Sequence, residues 1–269
     1  MPLRTVALRT SDTPNAGFPF TIAAIRTIPV LEMADRVTFF VGENGTGKST
    51  LLEAIAIAAG IRGLGSEQPK LDTTLAPQRD LASHLRLTWS ARSSRGFFLR
   101  AEDFFGYLRR QARDDARIRR ERSEIGLDAP PPGRADDWRS GEHPDESAAV
   151  EFIERYDSRS HGESFLDVFG QRTRGKGLYL LDEPEAPLSP QRQLSLIRLL
   201  ADAVDVGAQF IIATHSPILL AFPGAKILSF DGGPITEVAY ADLEHVALTR
   251  AFLNAPELYL QRLLAKDDE

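Results

Sequence analysis

The sequence predicts an α/β fold on a mainly parallel sheet, and three stretches carry that expectation. Residues 37–41 form a short apolar run rich in β-branched and aromatic side chains. A glycine-rich loop follows, and then residues 50–59, which read as a buried helix stopping at Gly60. Residues 178–181 and 209–214 are largely continuous apolar runs, as strands buried on both faces require. Between those two runs Leu194, Ile197 and Leu200 recur at helical spacing, which makes a strand–helix–strand unit. An antiparallel N-terminal β region and a helical subdomain complete the expected architecture.

With 269 residues the chain can hold one large α/β domain. The expectation is a single domain over 1–269 with a helical subdomain at 101–167. An apolar content of 42% is ample for a core, and 26% charged residues is ordinary for a soluble protein. The absence of cysteine excludes disulfides and thiolate metal sites. No apolar signal core opens the chain, and no run approaches the roughly 18 apolar residues of a membrane span. A cytoplasmic enzyme is therefore expected. The net charge of −6 argues against a globally basic nucleic-acid binder, though not against a local basic patch.

In chain order, residues 6–8, 20–25 and 37–41 read as strands, broken by Pro14, Gly17, Pro19 and Pro29. Residues 85–89 and 96–100 suggest two more, joined by a polar turn. Charge then crowds residues 109–124, and residues 126–147 hold Pro130, Pro131, Pro132, Gly133 and Gly141 with few apolar side chains. That stretch cannot bury enough surface to offset its ordering entropy, so it reads as a mobile insertion. A helix is expected over 148–156. Residues 226–230 and 235–238 read as a strand pair around Asp231-Gly232-Gly233, and a final helix over about 242–264 is interrupted at Pro256.

The chemistry begins with Gly42-Glu43-Asn44-Gly45-Thr46-Gly47-Lys48-Ser49, which fills the phosphate-loop pattern G-x-x-x-x-G-K-[ST] without a mismatch. Glycines let backbone N–H groups approach phosphate oxygens, and the helix that opens near Thr50 turns its positive end to the same anion. Lys48 suits the β/γ-phosphates, and the Ser49 hydroxyl suits Mg²⁺. The stretch is expected to bind a nucleoside triphosphate. Asp182-Glu183-Pro184 follows the apolar run 178–181, so two carboxylates emerge at the end of a buried strand, where α/β sheets place ligands. Asp182 suits Mg²⁺, held through water, and Glu183 suits polarising the water that attacks the γ-phosphate. His215 likewise ends an apolar strand. It lies 33 residues after Asp182 (215 − 182), room for one helix and the adjacent strand, so both reach one sheet edge.

These motifs, in this order, resemble the ATP-binding-cassette ATPases, and within them the RecF/SMC-like branch with its short single-domain ATPases. The resemblance is close over 37–60 and 158–230, and loose before 37. It implies Mg²⁺-dependent ATP hydrolysis coupled to a head-to-tail homodimer. Ser160, Gly162 and Glu163 match the family's signature, 22 residues before Asp182 (182 − 160). The resemblance implies that this segment caps the γ-phosphate bound by a partner chain. It also implies a glutamine-type sensor at the end of a strand before the helical subdomain, for which Glu102 is the candidate as a Mg²⁺-linked residue. Phe18 and Phe20 are the candidates for an adenine-stacking ring. The wording Pro184-Glu185-Ala186-Pro187-Leu188-Ser189-Pro190 resembles repair and defence ATPases more than transporters.

Two alternatives accompany the ATPase reading: a nucleotide-gated clamp on DNA or a protein partner, and the ATPase subunit of a transporter. Arg109, Arg110, Arg113, Arg117, Arg119, Arg120 and Arg122 could contact a nucleic-acid backbone. They could equally line a solvated helix with Asp114, Asp115, Glu121 and Glu124, and the lack of interleaved aromatic residues over 111–137 favours that bland reading.

Overall fold

A computed structural model of the chain describes residues 3–9, 17–64, 75–91, 95–104, 161–173 and 175–265, together with 106 and 117. Among the described residues nine strands fall in two sheets. The larger takes the order β5 (Gly96–Arg100), β6 (Leu178–Asp182), β7 (Gln209–Ala213), β3 (Val37–Val41), β8 (Lys226–Ser229), β9 (Thr236–Glu237). Its first five members are parallel, and only β9 returns antiparallel against β8. The smaller sheet is antiparallel, in the order β2 (Leu31–Glu32), β1 (Leu3–Leu8), β4 (Leu85–Trp89). The α/β class, the parallel core and the N-terminal antiparallel region are therefore as the sequence predicts.

Two apolar cores explain the layering. In β3, β6 and β7 every residue is buried, and alternate side chains enter opposite faces. Phe40, Leu180 and Ile211 meet α2 (Lys48–Ala59), α3 (Ala76–His84) and the small sheet. Phe39, Tyr179, Leu181 and Phe210 meet α4 (His161–Arg172) and α5 (Pro190–Asp205) on the other face. Aromatic edges fix α4: Phe165 contacts Phe104 at 4.9 Å between ring centres, and Phe169 contacts Phe97 at 6.2 Å. Buried Gln209 ties the two sheets. Its amide nitrogen donates to the Leu3 and Met33 carbonyls, and its oxygen accepts the Leu3 N–H at 3.0 Å.

Three local expectations change. Residues 20–25 are a turn leading into a short helix, α1 (Ala23–Arg26), rather than a strand. Phe20, Ala24 and Ile25 are the buried members, a spacing that suits one helical face and not alternation. β4 and β5 are not a hairpin, because β4 pairs with β1 while β5 pairs with β6. The final helix is two helices, α6 (Glu244–Asn254) and α7 (Pro256–Leu264), with the proline at the first turn of the second, where its missing N–H costs nothing. The expected helix over 148–156, the insertion over 126–147, Ser160 and all the arginines of the basic cluster except Arg117 lie outside the described residues. No helix among the described residues is long and apolar enough to cross a membrane.

Candidate nucleotide site

Parallel pairing brings the predicted residues to one edge. Arg100 pairs with Asp182 across β5 and β6, Asp182 with Ala213 of β7, Ala213 with Phe40 of β3, and Val41 with Ser229 of β8. The loops leaving those strands therefore line up at the C-terminal side of the sheet: Asp182 and Glu183, then Thr214 and His215, then residues 42–48, then Asp231. That edge is where open α/β sheets bind ligands.

The loop at residues 42–47 turns tightly between β3 and α2. Gly42 has φ 139°, and a Cβ there would stand 2.9 Å from Asp231 Oδ1 and 3.2 Å from Phe230 Cβ. Gly47, at φ 99°, is the left-handed residue before α2 and is braced by Ile22 and Ile25 of the N-terminal turn. Asp231 fixes the loop from outside, its Oδ1 accepting the Glu43 N–H at 2.8 Å. Thr46 Oγ1 donates to the Glu43 carbonyl at 2.8 Å, while Asn44 and Gly45 form the exposed crest. Lys48 Nζ curls back to donate to the Gly42 carbonyl at 2.6 Å and the Glu43 carbonyl at 2.9 Å. Burial lowers the Lys48 ammonium from its ordinary value, opposed by Glu183, Asp231, Asp182 and Glu43.

Behind the loop, Ser49 Oγ donates to Asp182 Oδ1 at 2.9 Å across 133 residues of sequence. Thr50 follows in the first turn of α2. Asp182 is 3% exposed, delivered by a strand with no exposed residue. Glu183 stands beside it at φ 49°, the one non-glycine residue with positive φ among those described. Its N–H donates to the Ala213 carbonyl at 2.9 Å, which locks the strained residue to β7. A serine hydroxyl beside a carboxylate is a hard-oxygen donor pair and fits Mg²⁺, which binds through one or two protein oxygens plus phosphates.

His215 lies one strand over. Its imidazole is held below its ordinary value by burial and by the Lys48 charge, opposed by Glu183, Glu43 and Asp231. Glu185 sets its backbone: Oε1 accepts from Thr214 Oγ1 at 2.6 Å and from the His215 N–H at 2.8 Å.

The remaining predicted residues are placed differently. Glu102 is exposed two residues beyond β5, and it is Arg100 that reaches Asp182, Nε to Oδ2 at 3.1 Å. The reason is register: Arg100 is the β5 residue opposite Asp182. Phe20 is buried in a T-shaped pair with His84 at 5.3 Å between ring centres, whereas Phe18 is 55% exposed. Gly162 and Glu163 open α4. Gly162 packs on α5, where a Cβ would meet Arg192 Cδ at 2.6 Å and the Pro187 carbonyl at 3.0 Å. Glu163 pairs with Arg192 at 3.3 Å. Sequence reasoning missed Arg100, Glu53, Glu185 and Asp231. The rule that found Asp182 and His215, a polar residue closing an apolar strand, points less plainly to Arg100, which closes a strand of alternating buried and half-buried residues.

The family model described as "AAA domain, putative AbiEii toxin, Type IV TA system" matches residues 165–221, from α4 through β6, α5 and β7. No curated protein sequence matches the chain significantly. Among solved structures, CbiO1 from Clostridium perfringens, part of the ABC transporter complex CbiONQ, is 16% identical with a TM-score of 0.42, covering 87% of this chain and 90% of that one. The SMC head domain from Thermotoga maritima is 16% identical with a TM-score of 0.38, covering 88% and 98%. The Pyrococcus furiosus SMC head bound to the C-terminal domain of ScpA is 11% identical with a TM-score of 0.42, covering 96% and 100%. The family match covers the β6–β7 half of the sheet edge that also carries the complete phosphate loop and Asp182, so over residues 165–221 the chain is similar to that AAA family.

Proposed function

We propose that the chain binds Mg-ATP at residues 42–50 and hydrolyses it, using Glu183 as general base. Ser49 and Asp182 would hold the metal, and Lys48 would leave the loop carbonyls for the β- and γ-phosphates. Bound Mg²⁺ supplies charge neutralisation between those phosphates. The neutral imidazole of His215 is suited to donate to the γ-phosphate or to orient water without adding charge. The observation that carries this reading is the Ser49–Asp182 hydrogen bond, which couples the end of the phosphate loop to the end of β6. A chance glycine turn has no need of a buried carboxylate at that point.

Two substitutions test the assignment by separating binding from chemistry. Lys48→Ala should abolish tight ATP binding in a calorimetric titration. Glu183→Gln should keep that binding and lose at least ~10²-fold in turnover, the usual scale for a general base. Equal loss of binding in both would show Glu183 to be mainly structural. The biological setting is proposed to be repair or defence, supported by the toxin–antitoxin description of the matching family and by the Glu185–Pro190 wording.

A further inference from the structure

Arg100 joins the two most buried carboxylates near the phosphate loop. Nη2 donates to Glu53 Oε1 at 2.6 Å while Nε donates to Asp182 Oδ2 at 3.1 Å. The Glu53 and Asp182 side chains are 6% and 4% exposed, and Arg100 is 30% exposed. Glu53 stands on α2, one turn beyond Ser49, and Arg100 closes β5, so the guanidinium ties helix and sheet together behind the loop.

The two oxygens of Asp182 are divided between donors. Ser49 takes Oδ1 and Arg100 takes Oδ2, so the plane of the carboxylate is set from both sides. A carboxylate held by one donor swings about its Cβ–Cγ bond, and one held by two does not. Two of the guanidinium's five N–H groups are committed to Glu53 and Asp182. The planar fork also matters. A lysine ammonium at this strand end is a point charge and cannot hold two carboxylates in a fixed plane.

We propose that Arg100 is a positioning residue for the metal. It holds Asp182 with Oδ1 turned toward Ser49, and it is itself held in place by Glu53. This rests on the reading of Ser49 and Asp182 as the metal-holding pair. Charge sharpens the idea. Glu53, Asp182 and Arg100 sum to −1, and replacing Arg100 and Glu53 together by glutamine also leaves −1. The double substitution therefore removes the orienting bond without altering the local net charge.

Manganese in place of magnesium gives a readout independent of turnover. Mn²⁺ is titrated by electron paramagnetic resonance into wild-type protein saturated with ADP. The same titration follows in Arg100→Gln/Glu53→Gln and in Arg100→Lys, with thermal melts recorded for each. The double variant should bind Mn²⁺ at least about tenfold more weakly, the usual cost of losing an outer-shell partner. Arg100→Lys, which keeps the charge and the stem, should fall in the same direction. ADP affinity measured in EDTA should stay within twofold of wild type in both. A folded variant of either kind with wild-type Mn²⁺ affinity overturns the proposal, even where its melting temperature has dropped, because that pattern marks a purely structural ion pair. A wild-type protein that takes up ADP but no Mn²⁺ would sink the metal assignment of Ser49 and Asp182 and this inference with it. One that takes up no ADP would sink the nucleotide reading first.

Discussion

The Lys48 charge helps hold the His215 imidazole below its ordinary value, the two residues following the paired strands β3 and β7. The ammonium is bonded to two carbonyls of its own loop and surrounded at longer range by Glu183, Asp182, Asp231 and Glu43. The imidazole is acted on by three of these acids, Glu183, Glu43 and Asp231, and His215 in turn acts on His245 of α6. Burial is the first cause of its lowered value and the Lys48 charge the second, so the ring stays neutral to a pH below the ordinary 6.5. Loss of the Lys48 charge leaves the burial cause in place and removes part of the depression. In a proton NMR titration, the His215 midpoint should therefore lie below 6.5 in the wild type and move upward in Lys48→Met. An unmoved midpoint would mean that the two groups are electrostatically separate. For turnover the sign is set: a step that needs the neutral ring loses rate as pH falls through the lowered value, and not before. His215→Ala should resemble Glu183→Gln, keeping ATP and losing turnover.

At the scale of elements, the loop after β6 is tied to the loop after β7 through one carboxyl. Glu185 Oε1 accepts from Thr214 and His215, while Oε2 is buried with no hydrogen-bond partner among the described residues. Burial raises this carboxyl above its ordinary value, opposed by its hydrogen bonds. A raised carboxyl takes up its proton in the folded state at a pH where the unfolded chain is still ionised. Its contribution to stability is thus complete below about 4.5 and is lost as pH rises through the folded value. Glu185→Gln keeps an acceptor for Thr214 and His215 and removes the buried charge. Its melting temperature relative to wild type should be higher at pH 8 than at pH 5. A difference that is flat with pH would show that the carboxyl titrates normally. The same scale explains what the sequence could reveal. β3, β6 and β7 were legible because strands buried on both faces leave a nearly unbroken apolar run. Residues 20–25 were not, since a β-branched composition hides a helical spacing when the segment is under two turns long. Arg100 was missed because a basic residue closing a half-apolar strand looks like a solvent-facing position until pairing sets it opposite Asp182. Asp231 was missed for a related reason: beside two glycines it reads as a turn residue, and only the β3–β8 pairing brings it to the phosphate loop.

The whole molecule raises the question of what completes the site on its open side. α2 and the phosphate loop belong with the core that faces the small sheet, whereas α4 is anchored by Phe165 and Phe169 in the core on the opposite face. Gly162 is wedged against Arg192 and Pro187, so the start of α4 is fixed beside the entry to α5, at the same end of the sheet as Asp182. We propose that the start of α4 serves a nucleotide bound by another copy of the chain. ATP would then join two chains, and hydrolysis would remove the anion between them. Glu183→Gln should be monomeric without nucleotide and dimeric with Mg-ATP, read by light scattering after size exclusion. Adding Ser160→Arg, a bulky cation in place of a small hydroxyl, should block dimerisation while one ATP stays bound per chain. If the double variant still dimerises with ATP, or Glu183→Gln stays monomeric at high concentration, the signature assignment fails. Gly162 and Glu163 would then serve only the contact with α5 that their packing against Arg192 already makes.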